Sequence, residues 1–396
     1  MRVLVTNAAS RVAYVVTRSL AANCIPVYTT DWRPYAMCRY SRFVRDHTVC
    51  PSPYSQPQAF LDHIVEFSGR NKIELFIPCH EETLLIAKYR DQLPARIKII
   101  LPSYDQLLFA HDKQRWHNHA LHLNILVPPI YSPVELRRKL PELSGADFPM
   151  LIKPRQGGGG WAVTQVDSAA ALKEHLHHSL FCGHPWERFI IQKKIIGRVH
   201  CVAMLFNRGS LRAMVSYKQL RCYPRSRGQA TWRISNHHEA AEHYLRLLLE
   251  DLSWHGVCQA DFIVEEKTNR PYLIDINPRL WGSLFQAIQS GVNIPHLIFQ
   301  IAQHGDVSPI LHFVEGVQTH WLGGEIAALL TEIRNKDGER SPLEYIRSLL
   351  ANYRSDDFCY QDPAPFFAWL WGHFTKSFRK LRVNSPDTDS LKDIWT

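Results

Sequence analysis

The chain has 396 residues, 45% of them hydrophobic and 21% charged, which excludes wholesale disorder and leaves room for two or three domains with cores of their own. A formal charge of +9 favours anionic partners, among them nucleotides, nucleic acids and membrane surfaces, without choosing between them. Nine cysteines fall without a C-x-x-C pair or a regular spacing, so neither a zinc ribbon nor a disulfide framework is expected and a reducing cytoplasm fits.

In chain order, "RVLVTN" reads as a strand, "RVAYVVTRSLAAN" as a helix and "IPVYTTD" as a second strand, the β-α-β opening of a doubly wound parallel sheet. Asn7, Ser10 and Arg11 interrupt the apolar start before a signal-peptide core is reached, and no apolar run attains the roughly 18 residues of a membrane-spanning helix, so neither is expected. The turn "TNAASR" lacks the glycines that a dinucleotide's pyrophosphate requires, so this unit is read as scaffold. "IELFIP" and "IKIILP" continue the alternation around a helix "EETLLIAKYRDQL". Glu81 and Glu82 at that helix's start either bind a second substrate or are the acids that a first helical turn favours anyway, and the second reading is preferred.

From Asp105 a single helix is expected to carry "FAHDKQRWHNHALHL", with Lys113 in it. In "FPMLIKPRQGGGGWAVTQV" an apolar strand delivers Lys153, and Gly157, Gly158, Gly159 and Gly160 form a loop into the next strand. Four consecutive glycines carry a large conformational-entropy cost, and their usual value is close backbone approach to phosphate oxygens. "RFIIQKKIIG", "RVHCVAML" and "LRAMVSYKQLRCYP" read as strands, "EAAEHYLRLLLEDL" as a helix, and "VCQADFIVEE" with "RPYLIDINP" as a closing hairpin. Asp275 and Asn277 sit two apart and leave one face of the pleat, and Asp261 could face Asp275 across the hairpin. Two oxygen ligands at a strand end with Arg279 just beyond suit a magnesium site beside an anion; a strand running into an Asn-Pro turn is the plainer alternative.

These segments, in this order, resemble the ATP-grasp superfamily over residues 1 to about 305, most nearly the carboxylate–amine ligases of the biotin carboxylase and carbamoyl phosphate synthetase type. The resemblance implies an α/β fold: a pre-ATP-grasp parallel-sheet domain (1–105), a central and lid subdomain (106–190), a C-terminal lobe with the metal site (191–305) and a helical extension (306–396). It implies that Lys113 and Lys153 contact ATP phosphates under a lid of Gly157 to Gly160, and that the backbone of Gln192, Lys193, Lys194, Ile195 and Ile196 binds adenine. It further implies that Asp261, Asp275 and Asn277 hold magnesium, or manganese in its place, that Arg279 steadies the transferred phosphate, and that Lys218 and Arg221 approach the reacting centre. Lys193 stands where the hinge usually carries an acid, Val199 where a ribose-binding glutamate is usual, and the metal ligands are Asp where many relatives have Glu.

The implied chemistry is phosphorylation of a carboxylate by ATP to an acyl phosphate, attack by an amine, and release of ADP and phosphate, with small-molecule acid and amine as the substrates. The rivals are a carboxylase working through carboxyphosphate and a non-catalytic nucleotide-binding scaffold. A nucleic-acid partner is not expected, since the basic residues are dispersed and no recognised module occurs. In "FFAWLWGHFTKSFRKLR" aromatics precede a basic run, which suits packing on the body first, and otherwise a protein partner or peripheral contact with the inner face of a membrane. A homodimer completes the expectations.

Overall fold

The computed structural model describes residues 1–157, 163–178, 180–181, 183–224, 228–334, 342–351 and 354–380. The first domain holds a four-stranded parallel sheet in the order Val44–Val49, Val27–Asp31, Val3–Val5, Leu75–Ile77. Val3 and Val5 face one core and Leu4 another, as period-2 alternation between two covering layers dictates. Helix Arg11–Ala22 starts at Ser10, whose hydroxyl accepts from the Ala13 N–H, and the preceding turn places Asn7 at φ 55, a left-handed conformation that asparagine tolerates.

Three expectations change here. "IKIILP" forms no strand; Lys98 makes only an isolated parallel bridge with Leu75. Strand Val44–Val49 and helix Pro57–Asn71 add to the elements read from the sequence. The single helix expected after Asp105 is two, Tyr104–His111 and Lys113–His122, because Asp112 breaks the first and caps the second by accepting from the Gln114 and Arg115 N–H groups.

A small antiparallel sheet follows in the order Ile130–Tyr131, Phe189–Lys193, Met150–Pro154, Thr164–Val166, the last two being the expected lysine hairpin. The largest sheet has six antiparallel strands: Pro271–Asn277, Gly256–Glu265, Gly197–Asn207, Ser210–Tyr223, Gln229–Ser235 and Gln318–His320. Its two faces alternate residue by residue. Cys201, Ala203, Leu205, Val215 and Tyr217 join the core shared with the first domain. Val202, Met204, Phe206, Ala260 and Phe262 pack with Trp116, Trp254 and the leucines of helix Glu239–Asp251. Each valine, leucine, methionine or phenylalanine among them, fully buried, contributes about 1.5–3 kcal/mol.

The chain beyond residue 305 returns to this body. Gln318–His320 supplies the sixth strand, and the fully buried Arg233 ion-pairs with Asp356. Arg11 donates to the Gly282 carbonyl at 3.0 Å and to Gln229 at 2.9 Å, and so fastens the loop that follows Arg279 to the first domain. Helix Ala364–Lys380 packs its start inward through Phe366 and Trp369, the latter against Gly323. Among the described residues no helix is long and apolar enough to cross a membrane.

Candidate active site

Two lysines arrive from different elements. Lys153 stands in strand Met150–Pro154 opposite Ile190, and burial, partly offset by Asp275, brings its ammonium down to about 8. Lys113 is the first residue of its helix, where a cation opposes the helix dipole, so its position does nothing for the helix. It is 7% exposed. Its Nζ donates to the Gly157 carbonyl at 2.5 Å and lies 3.5 Å from Asp275 Oδ1, bridging the start of the glycine loop to the acid hairpin. Asp112 sets this up: its carboxylate takes Arg155 in a two-pronged bond at 2.9 and 2.7 Å, and the Arg155 carbonyl accepts from the Lys113 N–H at 2.9 Å.

The closing hairpin pairs Asp261 with Asp275 and Gln259 with Asn277, so all four share one face. Burial, reinforced by Asp275, raises the Asp261 carboxyl above its ordinary range. Opposing that are donors from Cys201 Sγ at 3.0 Å and Gln259 Nε2 at 2.8 Å; Asn277 Nδ2 lies 3.5 Å from the other carboxylate oxygen. Asn277 Nδ2 also donates to Gln259 Oε1 at 2.8 Å, which leaves its own oxygen turned from these partners. Among the described residues no group of three or more His, Cys, Asp or Glu is gathered to hold a metal unaided. Two carboxylates and one amide oxygen nevertheless fit magnesium, which retains water and completes its shell from substrate phosphates. Gln259 and Cys201 escaped the sequence reading, although Gln259 lies two residues before Asp261 just as Asn277 lies two after Asp275.

Arg279 follows the hairpin and donates from Nε to Glu81 Oε1 at 2.9 Å. Burial alone would raise the Glu81 carboxyl, but the Arg279 guanidinium, with lesser help from His111 and His80, holds it at about 2. Glu82 behaves differently: it is buried and accepts from the Thr6 hydroxyl and the Cys79 N–H, a structural role. A small cleft runs between Glu81, His111, Lys113, Gly157, Asp275 and Asn277.

Lys218 and Arg221 are not brought to this cluster. Lys218 pairs with His200, and therefore lies on the face opposite the row Asp275–Asp261–Cys201–Tyr217. Arg221 ion-pairs with Glu325 at 2.5 Å, donates to Ser348 at 2.8 Å and stacks between Trp232 and Tyr345. In the expected hinge, the Lys193 and Lys194 N–H groups already bond the Pro129 and Pro149 carbonyls, and Gln192 is buried. Ile195 and Ile196 follow with Ile196 exposed. Gly158, Gly159 and Gly160 lie outside the described residues, while Gly157 takes φ 83.

Residues 111–283 match the family model of the ATP-grasp domain, a span that includes both lysines and the whole acid hairpin. Biotin carboxylase from Campylobacter jejuni, solved as a β-γ-ATP complex, superposes with a TM-score of 0.65 at 14% identity over 80% of this chain and 74% of that one. N5-carboxyaminoimidazole synthetase from Staphylococcus aureus gives 0.62 at 14% over 85% and 86%. L-amino acid ligase from Bacillus licheniformis gives 0.57 at 14% over 77% and 74%. The fold is therefore the ATP-grasp fold. The comparison with curated protein sequences returned no match.

Proposed function

We propose that this chain is an ATP- and magnesium-dependent ligase that phosphorylates a carboxylate and passes the resulting acyl phosphate to an amine, releasing ADP and phosphate. The observation that carries this reading is the convergence of Lys113 and Lys153 on the Asp261–Asp275–Asn277 face, with Arg279 beyond it. Lysines on one side and oxygen ligands on the other form a cradle for a metal-bound polyphosphate. In this reading Lys113 and Lys153 bind phosphate oxygens beside Gly157, and the hinge from Gln192 to Ile196 takes the adenine.

Bound magnesium would supply charge neutralisation where the γ-phosphoryl departs. The chain's own groups do the rest. Cys201, on the strand away from Asp275, and Gln259, along Asp261's own strand, hold the Asp261 carboxylate in place. Arg279 offers a guanidinium whose present counter-ion, Glu81, occupies the position of an anion. A carboxylate's own leaving group would be oxide; the acyl phosphate leaves phosphate instead, so no nucleophilic serine or cysteine is required.

The solved neighbours named as biotin carboxylase and N5-carboxyaminoimidazole synthetase support a second reading, in which bicarbonate is the carboxylate and carboxyphosphate the acyl phosphate. Magnesium-dependent ADP release, measured with hydroxylamine present against pools of amino acids, dipeptides and organic acids, separates the readings. A pool that raises ADP and hydroxamate together establishes carboxylate activation; ADP release that needs bicarbonate alone selects the carboxylase; AMP in place of ADP refutes both. Peripheral contact of the C-terminal helix with an anionic membrane is a separate proposal, supported by Phe367 and Trp371 at 59% and 65% exposure and tested by co-sedimentation with anionic vesicles.

A further inference from the structure

The Arg279–Glu81 ion pair joins two domains, and its acidic member is placed where a scaffold residue would not need to be. Glu81 leaves the loop after strand Leu75–Ile77, whose neighbour in the parallel sheet is Val3–Val5. The strand order reverses between these two, and the carboxyl ends of strands at such a reversal are where α/β sheets receive ligands. Glu81 Oε1 is taken by Arg279, whereas Oε2 is buried and accepts no hydrogen bond. His111 Nε2 is 3.6 Å from Oε2, and burial keeps that ring below its ordinary range; burial likewise holds His80 down at about 4. The carboxylate thus borders the same cleft as Lys113, Asp275 and Asn277, with Arg279 as its strongest electrostatic partner.

That pairing has a consequence once Arg279 is asked to hold the anion of the reaction. An acyl phosphate drawing on the guanidinium would leave Glu81 as a largely buried carboxylate beside a new negative charge, and stripping a buried charge of its partner is strongly unfavourable. A cation arriving at Glu81 removes the conflict. We propose that Glu81 is the docking carboxylate for a protonated amine, the second substrate, and that this site becomes available when an anion engages Arg279. The inference rests on the ligase reading above and narrows its amine to one that is cationic in solution; an anionic co-substrate such as bicarbonate would be repelled from the same place. In the transfer step the nitrogen–carbon bond forms and the carbon–oxygen bond to phosphate breaks, with the electron pair leaving on phosphate. The ammonium gives up two protons overall, one to the departing phosphate, which leaves as hydrogen phosphate, and one to solvent.

The test compares wild type with Glu81→Gln, using the acid pool that yields hydroxamate and two kinds of nucleophile at about pH 8: alkylamines and amino acids, which are largely protonated there, and hydroxylamine, which is neutral. The ratio of kcat/KM for the cationic amine to that for hydroxylamine should fall about 30-fold or more, the scale of losing one member of a buried charge pair. Equal losses with both nucleophiles, or no loss with either, overturn the proposal. A second measurement needs no identified substrate and no variant: inorganic phosphate is titrated into wild-type enzyme with MgADP, with and without ethylammonium chloride. Ethylammonium should tighten phosphate binding, and Glu81→Gln should bind phosphate tightly without it. Absence of hydroxamate from every pool sinks the ligase reading, whereas phosphate binding indifferent to ethylammonium sinks this inference alone.

Discussion

Asp112 holds two interactions that two substitutions separate. Its Oδ1 accepts from the Gln114 and Arg115 N–H groups at 3.1 and 3.2 Å as a helix cap, and both oxygens take Arg155 at 2.9 and 2.7 Å. Asparagine caps as well as aspartate does, so Asp112→Asn removes only the charge pair; with Arg155 36% exposed and screened by water, that should cost about 0.2–1 kcal/mol. Asp112→Ala removes the cap too, adding about 0.5–2 kcal/mol. Alanine should therefore destabilise by about 0.7–3 kcal/mol and asparagine by only about 0.2–1 kcal/mol, read as shifts in the urea midpoint at constant slope. The functional consequence tracks the same order, because the Arg155 carbonyl holds the Lys113 N–H at 2.9 Å, and MgATP affinity should fall more in the alanine variant. Equal costs for the two variants, or an alanine cost below about 0.5 kcal/mol, would refute the assignment of the cap as the larger contributor.

Other outcomes follow from the same geometry. Asp275→Ala and Asn277→Ala should each abolish magnesium-dependent ADP release while far-ultraviolet circular dichroism stays that of the wild type; wild-type rates in either would remove the metal assignment. His47 and His80 are held at about 4, and His200 and His320 at about 3, in each case chiefly by burial. The unfolded chain therefore binds more protons below about pH 6.5, so stability should be full above that pH and fall on acidification, each histidine adding up to about 1.4 kcal/mol per pH unit until its folded value is passed. A flat urea midpoint between pH 6.5 and 4.5 contradicts this. A Cβ at position 197 would overlap the Val264 carbonyl, so Gly197→Ala should force the strand apart just after the expected hinge and cost about 1–3 kcal/mol, checked by thermal unfolding.

Sequence patterning made the acid hairpin and the lysine hairpin legible because both rest on local alternation: Asp261 opposes Asp275, and Lys153 stands in the strand before the glycines. What escaped depends on partners far along the chain. Strand Gln229–Ser235 carries a buried arginine, which breaks any apolar pattern, and it is neutralised by Asp356, more than a hundred residues later. Strand Val44–Val49 is an edge strand with exposed polar residues and gives no apolar signal. The side of the sheet that Lys218 occupies is fixed only by its pairing with His200, a register that a one-residue slip would invert. Arg221 lost its expected place for a similar reason: Glu325, on a helix no motif connects to it, claims its guanidinium. Glu81 shows the reverse case: a helix start accounts for an acid there, and only the Arg279 guanidinium beside it, distant in sequence, marks a further role.

The charges of the site argue for the form in which its nucleotide arrives. Asp261 and Asp275 face each other across the hairpin and are balanced by Lys113 and Lys153, while Arg279 is matched by Glu81. The cluster is thus close to neutral before any ligand enters. A bare polyphosphate would bring several negative charges against two partly buried carboxylates, and Lys113, already engaged with Asp275 and the Gly157 carbonyl, could not help neutralise it without abandoning them. A divalent cation held by the Asp261–Asp275 face would turn that repulsion into attraction and release Lys113 from Asp275 for the phosphates. Nucleotide binding should therefore be magnesium-dependent in itself, beyond any requirement of catalysis. Calorimetric titration with ADP should show strong binding with magnesium and a loss of at least about tenfold with EDTA, one power of ten being about 1.4 kcal/mol. In Asp261→Asn the same titration should lose most of its magnesium dependence. Equal affinity with and without magnesium in the wild type would mean that the acid face does not meet the phosphates.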